Sequence, residues 1–333
     1  MNVFIFNKCL RPNSLGLKEC VENGPTIGVY IKGEKDLNPL VKSALPRLKV
    51  KLNALNIPLY LVEDIKDIYE AIKEPIFYFY ETFEVDKFKQ YYDYFVPIEL
   101  IYPLEPKVSF TKFYEMVKPI LNYQKVTTPC QESYPKVKLN DIKINIHGTD
   151  PYNDLNNLLE RLSNKLRNGE TPNTFLSKYI NNGLIDPKVF IGSLYRKKHE
   201  ELVKKLLIRD YYLNMNLKVL KGIPGTTSFD NFEKWKNGET GYPYIDACMK
   251  CLKETNYLKY KQRALVASFW VKKYNGDWRL GCEYFKCLDD YDETLCTANW
   301  LYSAGIIDPI KFRKWNYDPD DEASLKFIKT WLR

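Results

Sequence analysis

The stretch from Trp235 to Tyr302 constrains the fold more than any other part of this sequence. Apolar residues recur there at helical spacing, and a turn signal at residues 240–243 precedes them, so we predict a series of short helices. The middle helix is mostly apolar, which is typical of a buried helix, yet Arg263 lies near its start. A buried arginine needs an acidic partner, and Asp290 and Asp292 are candidates further along the chain.

Ordered motifs fill this stretch. They read W-x-x-G-x-T-G-Y-P-x-I-D-A-x-M from Trp235, R-x-x-x-A-S-F from Arg263, D-W-R-x-G from Asp277, D-Y-D from Asp290 and N-W from Asn299. Their order and spacing resemble the flavin-binding half of the DNA photolyase and cryptochrome family. Weaker similarity extends to residues 4–11 and to residues 312–333.

The N-terminal part has a different pattern. Residues 1 to about 125 alternate short apolar runs with helical patterns, and we expect strands at 3–6, 26–31, 59–62 and 76–80. Strands that alternate with helices predict a Rossmann-like parallel α/β domain. Breakers predict a linker over 126–150, and an all-helical domain follows over 151–333. This is the order of domains in the photolyase/cryptochrome fold that the resemblance implies.

Composition limits the cellular setting. The 333 residues, 45% of them apolar, suffice for two hydrophobic cores. We expect no signal peptide and no transmembrane segment, because no long apolar run occurs. Eight scattered cysteines are typical of reduced thiols, so we expect an intracellular protein, cytoplasmic or nuclear. Cys248 and Cys251 form a lone CxxC inside a predicted helix, which favours packing over a metal site.

Positive charge is concentrated in one segment. The formal net charge is +8, and residues 161–221 hold thirteen Lys or Arg against five Asp or Glu. A solvated Lys-rich surface is one interpretation. A basic face that binds DNA or an acidic protein partner is the other, and composition does not choose between them.

The resemblance implies a folded FAD in the helical domain, and it assigns residues to that cofactor. The implied phosphate contacts are Asn173, Thr174, Ser177 and Arg209, and the implied contacts of the ring are Arg263, Asp290 and Asp292. The resemblance also implies that the N-terminal domain can carry an antenna pigment, for which no residue pattern is found.

Other roles stay open for these residues. Helix capping alone would explain Asn173 and Thr174. An ion pair with Asp210 would explain Arg209. Without flavin, Arg263 and the two aspartates could form a buried ion network.

The resemblance also implies an electron path. Trp300 and Trp278 match the inner two tryptophans of the chain that reduces photoexcited flavin, while the outer one has no counterpart. Cys296 stands at the position that faces flavin N5, as in insect-type cryptochromes. Packing roles remain open for all three, since large aromatics and cysteine are commonly core residues.

The similarity fails at the positions that contact damaged DNA in the family. Lys205 replaces an acidic residue and Ile208 a stacking tryptophan, and the further pocket positions hold Tyr260, Ala264 and Tyr302. Repair requires flipped bases that are read by hydrogen bonds and stacking. We therefore expect an altered lesion pocket and inefficient repair.

Three functions remain open. The first is a blue-light-photoreducible flavoprotein of the cryptochrome type. The second is a divergent photolyase, a deoxyribodipyrimidine lyase that repairs pyrimidine dimers. The third is a cofactor-free scaffold or binding protein with the same fold.

Overall fold

The computed structural model describes residues 1–32, 38–79, 110–121, 128–142, 149–168, 174–196, 199–215, 217–307 and 314–332. The chain divides by compactness into two units, Met1–Tyr211 and Tyr212–Arg333. The boundaries at 125 and 150 come from the pattern of elements rather than from compactness, and they stay a prediction.

The first unit contains a four-stranded parallel sheet. Its strands are β1 (Asn2–Ile5), β2 (Thr26–Ile31), β3 (Leu59–Val62) and β4 (Ile76–Phe79), in the order β3-β2-β1-β4. In the register, Val3 pairs with Ile27 on one side and with Phe77 on the other. The four predicted strands are confirmed, with β1 shifted by one residue because it ends at Ile5 rather than at residue 6, and residue 80 lies outside the described residues.

Both faces of the sheet are buried, as parallel sheets require. Val3 and Ile5 belong to one apolar cluster and Phe4 to the other, because successive side chains of a strand point to opposite faces. The helices among the described residues of this unit are α1 (Leu15–Glu22), α2 (Pro39–Asn53), α3 (Lys66–Ala71), α4 (Phe110–Val117), α5 (Pro151–Arg167), α6 (Ser177–Asn181), α7 (Pro187–Arg196) and α8 (Glu200–Leu213). The last of them runs two residues past the boundary between the units.

The described part of the second unit is helical. Its helices are α9 (Leu217–Lys221), α10 (Phe232–Asn237), α11 (Pro243–Thr255), α12 (Tyr260–Lys273), α13 (Trp278–Tyr284), α14 (Glu293–Ser303) and α15 (Glu322–Trp331). The predicted succession of short helices from Trp235 onward is therefore confirmed.

One buried carboxylate shapes the turn before α11. Asp246 accepts hydrogen bonds from the backbone N–H of Thr240 at 2.8 Å and of Gly241 at 3.0 Å. Gly241 has a φ of 81°, a left-handed conformation that glycine adopts without strain. Pro243 opens the helix, where its missing N–H costs nothing. The T-G-Y-P-x-I-D motif thus has a structural reason apart from any cofactor.

Tryptophans form the core of this unit. Trp235 and Trp270 are fully buried, with ring centroids 5.4 Å apart. Their indole N–H groups donate to backbone carbonyls, Trp235 to Val266 at 3.1 Å and Trp270 to Asp277 at 2.7 Å. These residues hold α10, α12 and the start of α13 together.

Two structural features are absent from the described residues. None of the helices there combines the length and apolar character needed to cross a bilayer. No group of three or more potential metal ligands occurs among them either. Cys248 and Cys251 are both buried within α11.

Candidate functional site

Arg263 and Asp290 in the second unit form an ion pair through two pairs of atoms, here called the fork. Arg263 Nη1 is 2.9 Å from Asp290 Oδ1, and Nη2 donates to Oδ2 at 3.1 Å. The third donor position, Nε, is bound to the carbonyl of Leu258 at 2.7 Å. The side chains are 23% and 7% exposed, so the pair is largely withdrawn from water. A bidentate pair of this kind fixes both the position and the charge of the carboxylate.

Backbone contacts place the two partners. Arg263 lies in the first turn of α12, where the backbone N–H of Lys259 donates a hydrogen bond to Gln262 Oε1 at 3.0 Å. Asp290 lies in the corner before α14, and the N–H of Asp289 donates to the carbonyl of Asn256 at 3.1 Å. Because Asn256 ends α11, this bond holds the acidic corner beside the turn into α12.

Asp292 has a different role in the structure. It is the N-cap of α14, and its carboxylate accepts from the N–H of Leu295 at 3.1 Å. A carboxylate at this position also interacts favourably with the positive end of the helix dipole. Of the two aspartates considered as partners of Arg263, the fork is formed with Asp290.

Cys296 lies one turn further along α14. Its sulfur is 3.5 Å from that of Cys282 on α13. The contact with Cys282 and burial raise the pKa of the Cys296 thiol well above its ordinary value, while the nearby Arg263 lowers it. Asp290 acts on this pKa in the opposite direction, so the fork influences the thiol electrostatically.

Asn299 is a polar residue of this region to which the sequence analysis gave no role. Asn299 lies three residues after Cys296, which itself lies four residues after Asp292, so the three share one face of α14. Its Nδ2 donates to the carbonyl of Leu295 at 2.7 Å, whereas its buried Oδ1 has no hydrogen-bond partner among the described residues. The helical spacing and the N-W motif contained the signal for it.

The residues of this face fit a polar cofactor. Buried acceptors are nearly always hydrogen-bonded, and Asn299 Oδ1 would be satisfied by a donor from a bound group. The fork, which acts electrostatically on Cys296 of the same helix face, supplies fixed positive and negative charge. A ring system with polar edges, such as isoalloxazine, suits this combination.

The two predicted electron donors are both buried. Trp300 is 2% exposed and packs against Phe285 at 5.0 Å and Trp235 at 6.0 Å between ring centroids. Trp278, 3% exposed, opens α13 after the N-cap Asp277. Neither indole N–H has a hydrogen-bond partner within the described ranges.

The predicted phosphate contacts belong to the first unit. Asn173 lies outside the described residues. Thr174 is half-buried and precedes α6, which begins at Ser177 after Leu176 and has no side-chain cap. Thr174 therefore does not cap this helix, because it lies two residues before the capping position.

Arg209 on α8 is only partly used by the protein. Its Nε donates to Asn181 Oδ1 at 3.1 Å, and its Nη1 lies 3.4 Å from Asp210 Oδ1. Within the described part of the chain, nothing accepts a hydrogen bond from Nη2. The ion pair with Asp210, which was the alternative explanation for Arg209, is thus present. Nη2 of Arg209 remains able to donate a hydrogen bond to another anion.

The positions predicted to form an altered lesion pocket differ in exposure. Lys205 and Tyr260 are exposed, the latter to 56%, while Ala264 is buried. Tyr302 is half-buried and packs edge-to-face against Tyr212 at 6.2 Å. The roles predicted for the phosphate-contact residues, for the lesion-pocket positions and for Trp278 and Trp300 stay predictions.

Comparison with known proteins identifies the helical region. Residues 199–333 match the model of the FAD-binding domain of DNA photolyase. The chain is 32% identical over 192 residues to a tomato (Solanum lycopersicum) cryptochrome DASH of chloroplasts and mitochondria, over 49% of this chain and 33% of that protein. It is 40% identical over 147 residues to cryptochrome DASH of Idiomarina loihiensis, over 38% and 32% of the two chains. The matched regions thus span about one third of the length of these curated relatives.

Solved structures have the same fold. An archaeal photolyase from Sulfolobus tokodaii, whose crystal structure contains two FAD molecules, matches with a TM-score of 0.73 and 25% identity, over 99% of this chain and 90% of that chain. A Synechocystis cryptochrome matches with a TM-score of 0.79 and 20% identity, over 99% and 88% of the two chains.

The family match and the residues of the α14 face agree on the cofactor. FAD is therefore the cofactor of the helical domain, and a cofactor-free scaffold loses its support. The predicted α/β domain followed by a helical FAD-binding domain is confirmed as the fold. Residues 199–333 are thus identified with the FAD-binding domain of DNA photolyase, and the chain has the photolyase/cryptochrome fold.

Proposed function

We propose that this protein is a cryptochrome-type flavoprotein that is photoreduced by blue light and repairs DNA inefficiently or not at all. The observation that carries the proposal is the Arg263–Asp290 fork beside Cys296. The fork keeps its charges fixed in a site of low exposure, where they act strongly on a neighbouring group.

Each residue has a task in this proposal. Bound FAD supplies light absorption and an electron acceptor. Trp300 is the proposed electron donor, through its buried indole, and Trp278 would then replace the electron that Trp300 has lost. Cys296 presents a thiol, a weak hydrogen-bond donor, and its raised pKa keeps that thiol neutral. Arg263 stabilises negative charge that develops nearby.

Photoreduction kinetics test the proposal. The purified protein should be yellow, and blue light should bleach its flavin absorption. We expect Trp300→Phe to slow bleaching at least tenfold and Trp278→Phe to slow it less. Trp331→Phe on α15 is the matched control, since it also removes one indole and leaves both proposed donors in place. Bleaching of Trp300→Phe at the rate of the unsubstituted protein would refute this electron route.

The lesion positions support the absence of efficient repair. An exposed lysine at 205 reverses the charge expected at a contact with the lesion, and Ile208 cannot stack on a base as an indole does. The test is an oligonucleotide with a single pyrimidine dimer, illuminated with protein that carries reduced flavin. Full conversion of the dimer would establish the alternative function, a divergent photolyase.

DNA remains the proposed partner of the basic segment 161–221. Arg161, Lys165, Arg167, Lys205 and Lys221 are exposed there. Contacts with phosphates release counterions, so binding of double-stranded DNA should weaken steeply as salt rises. Binding that persists unchanged in high salt would contradict phosphate contacts and favour an acidic protein partner.

A further inference from the structure

Two cysteines on neighbouring helices are close enough to react with each other. Cys282 on α13 donates a hydrogen bond to the sulfur of Cys296 on α14, with 3.5 Å between the sulfurs. All eight cysteines are free and lie in the described part of the chain, and no other two of their sulfurs share a hydrogen bond. The pair is therefore distinct from the remaining six.

Close packing of the two helices explains the short distance. A side-chain carbon at Gly281 would lie only 2.2 Å from the ring of Trp300, so the absence of a side chain at 281 permits the approach of α13 to α14. Phe285 packs edge-to-face on the same indole at 5.0 Å. Cys282, next to Gly281, is thereby held against Cys296 and Thr297.

We propose that Cys282 and Cys296 are a redox-active dithiol, a modification site at which a hydroperoxide joins α13 to α14 through a disulfide. The sulfurs need to approach by only about 1.5 Å to reach bonding distance, which side-chain rotation can supply. The disulfide forms without electron transfer from flavin and without light.

The chemistry balances with hydrogen peroxide as the oxidant. The half-buried Cys296, the more exposed of the two, loses its proton and attacks one peroxide oxygen, forming a sulfenic acid and releasing hydroxide. The sulfur of Cys282 then attacks the sulfur of Cys296, and the oxygen leaves as water. Two thiols and one peroxide thus give one disulfide and two waters.

The reaction should be slow. Contact with Cys282 and burial raise the pKa of the Cys296 thiol, so little of the reactive thiolate is present near neutral pH. We expect completion over minutes to hours, the usual range for uncatalysed disulfide chemistry.

The disulfide would act on the candidate site through the segment it encloses. Residues 283–295 lie between the two cysteines and include Asp290 and Asp292. A cross-link that closes this loop removes freedom from the unfolded chain and holds both carboxylates in place. We expect the thermal midpoint to rise by about 5 °C on oxidation and to fall again with reductant.

Peptide mapping of the full-length protein tests the proposal. The protein as purified is treated with hydrogen peroxide, its remaining thiols are alkylated, and its digest is analysed by mass spectrometry. We expect a linked peptide pair containing Cys282 and Cys296 and the loss of two of the eight free thiols. Cys282→Ser and Cys296→Ser should each abolish the linked pair and the thermal shift.

Cys287→Ser is the matched control, because Cys287 lies inside the enclosed segment and its sulfur touches neither partner among the described contacts. This variant should keep both the linked pair and the thermal shift. The proposal is overturned if the exposed Cys130 is oxidised while Cys282 and Cys296 both remain alkylatable. A linked pair that forms only in denaturant would overturn it as well.

Discussion

The two arginines predicted to contact FAD differ in how much of their hydrogen-bonding capacity the protein itself uses. Arg263, in the second unit, donates hydrogen bonds from Nε to Leu258 and from Nη2 to Asp290, and its Nη1 forms an ion pair with the same carboxylate. Arg209, in the first unit, uses Nε and Nη1, and the described residues leave its Nη2 without an acceptor. The comparison indicates that Arg263 is a structural and electrostatic element, while Arg209 can still bind an anion directly.

Removal of Arg263 should have the largest effect. Arg263→Ala leaves the carboxylate of Asp290 buried without its fork, so we expect a loss of about 3 kcal/mol in the free energy of unfolding. Flavin retention should fall with it. Urea unfolding followed by circular dichroism measures the first effect, and the flavin-to-protein absorbance ratio measures the second.

Arg263→Lys is the control for this prediction, because it keeps the charge and loses the planar fork. Its stability should lie between that of the unsubstituted protein and that of the alanine variant. An alanine variant as stable as the unsubstituted protein would show that Asp290 does not depend on Arg263.

Substitution of Asp292 should have an intermediate effect on stability and flavin binding, because this residue caps a helix and is predicted to contact the cofactor. Asp292→Ala removes the cap of α14 and should cost about 1 kcal/mol of stability. Asp292→Asn keeps a good capping group and removes the charge. If the carboxylate binds FAD, the asparagine variant will lose flavin without losing stability, and titration with FAD will separate the two roles.

Arg209 should have the smallest effect on stability. Arg209→Ala should cost less than about 1 kcal/mol, because the pair with Asp210 is long and Asp210 has other interactions. The dissociation constant of FAD should nevertheless rise about tenfold, the effect of one lost charge-assisted hydrogen bond. Lys205→Ala, one turn earlier on α8, is the charge-matched control and should leave it unchanged. An unchanged dissociation constant for Arg209→Ala would remove Arg209 from the phosphate contacts.

The sequence alone determined which segments form strands and helices, and that the arginine on the apolar helix α12 needs an acidic partner. Alternation of strands and helices predicted the parallel sheet, and an arginine on an apolar helix required an acidic partner. These inferences rest on local periodicity and on the cost of burying charge, which can both be read along the chain.

Only the tertiary structure decided which residues meet. It paired Arg263 with Asp290 and left Asp292 to cap α14, because the bond from Asp289 to Asn256 fixes the corner between them. It also brought Cys282 to Cys296, two residues with no shared motif, through the packing that Gly281 allows. Such contacts depend on how helices approach each other, and sequence spacing carries no information on that distance.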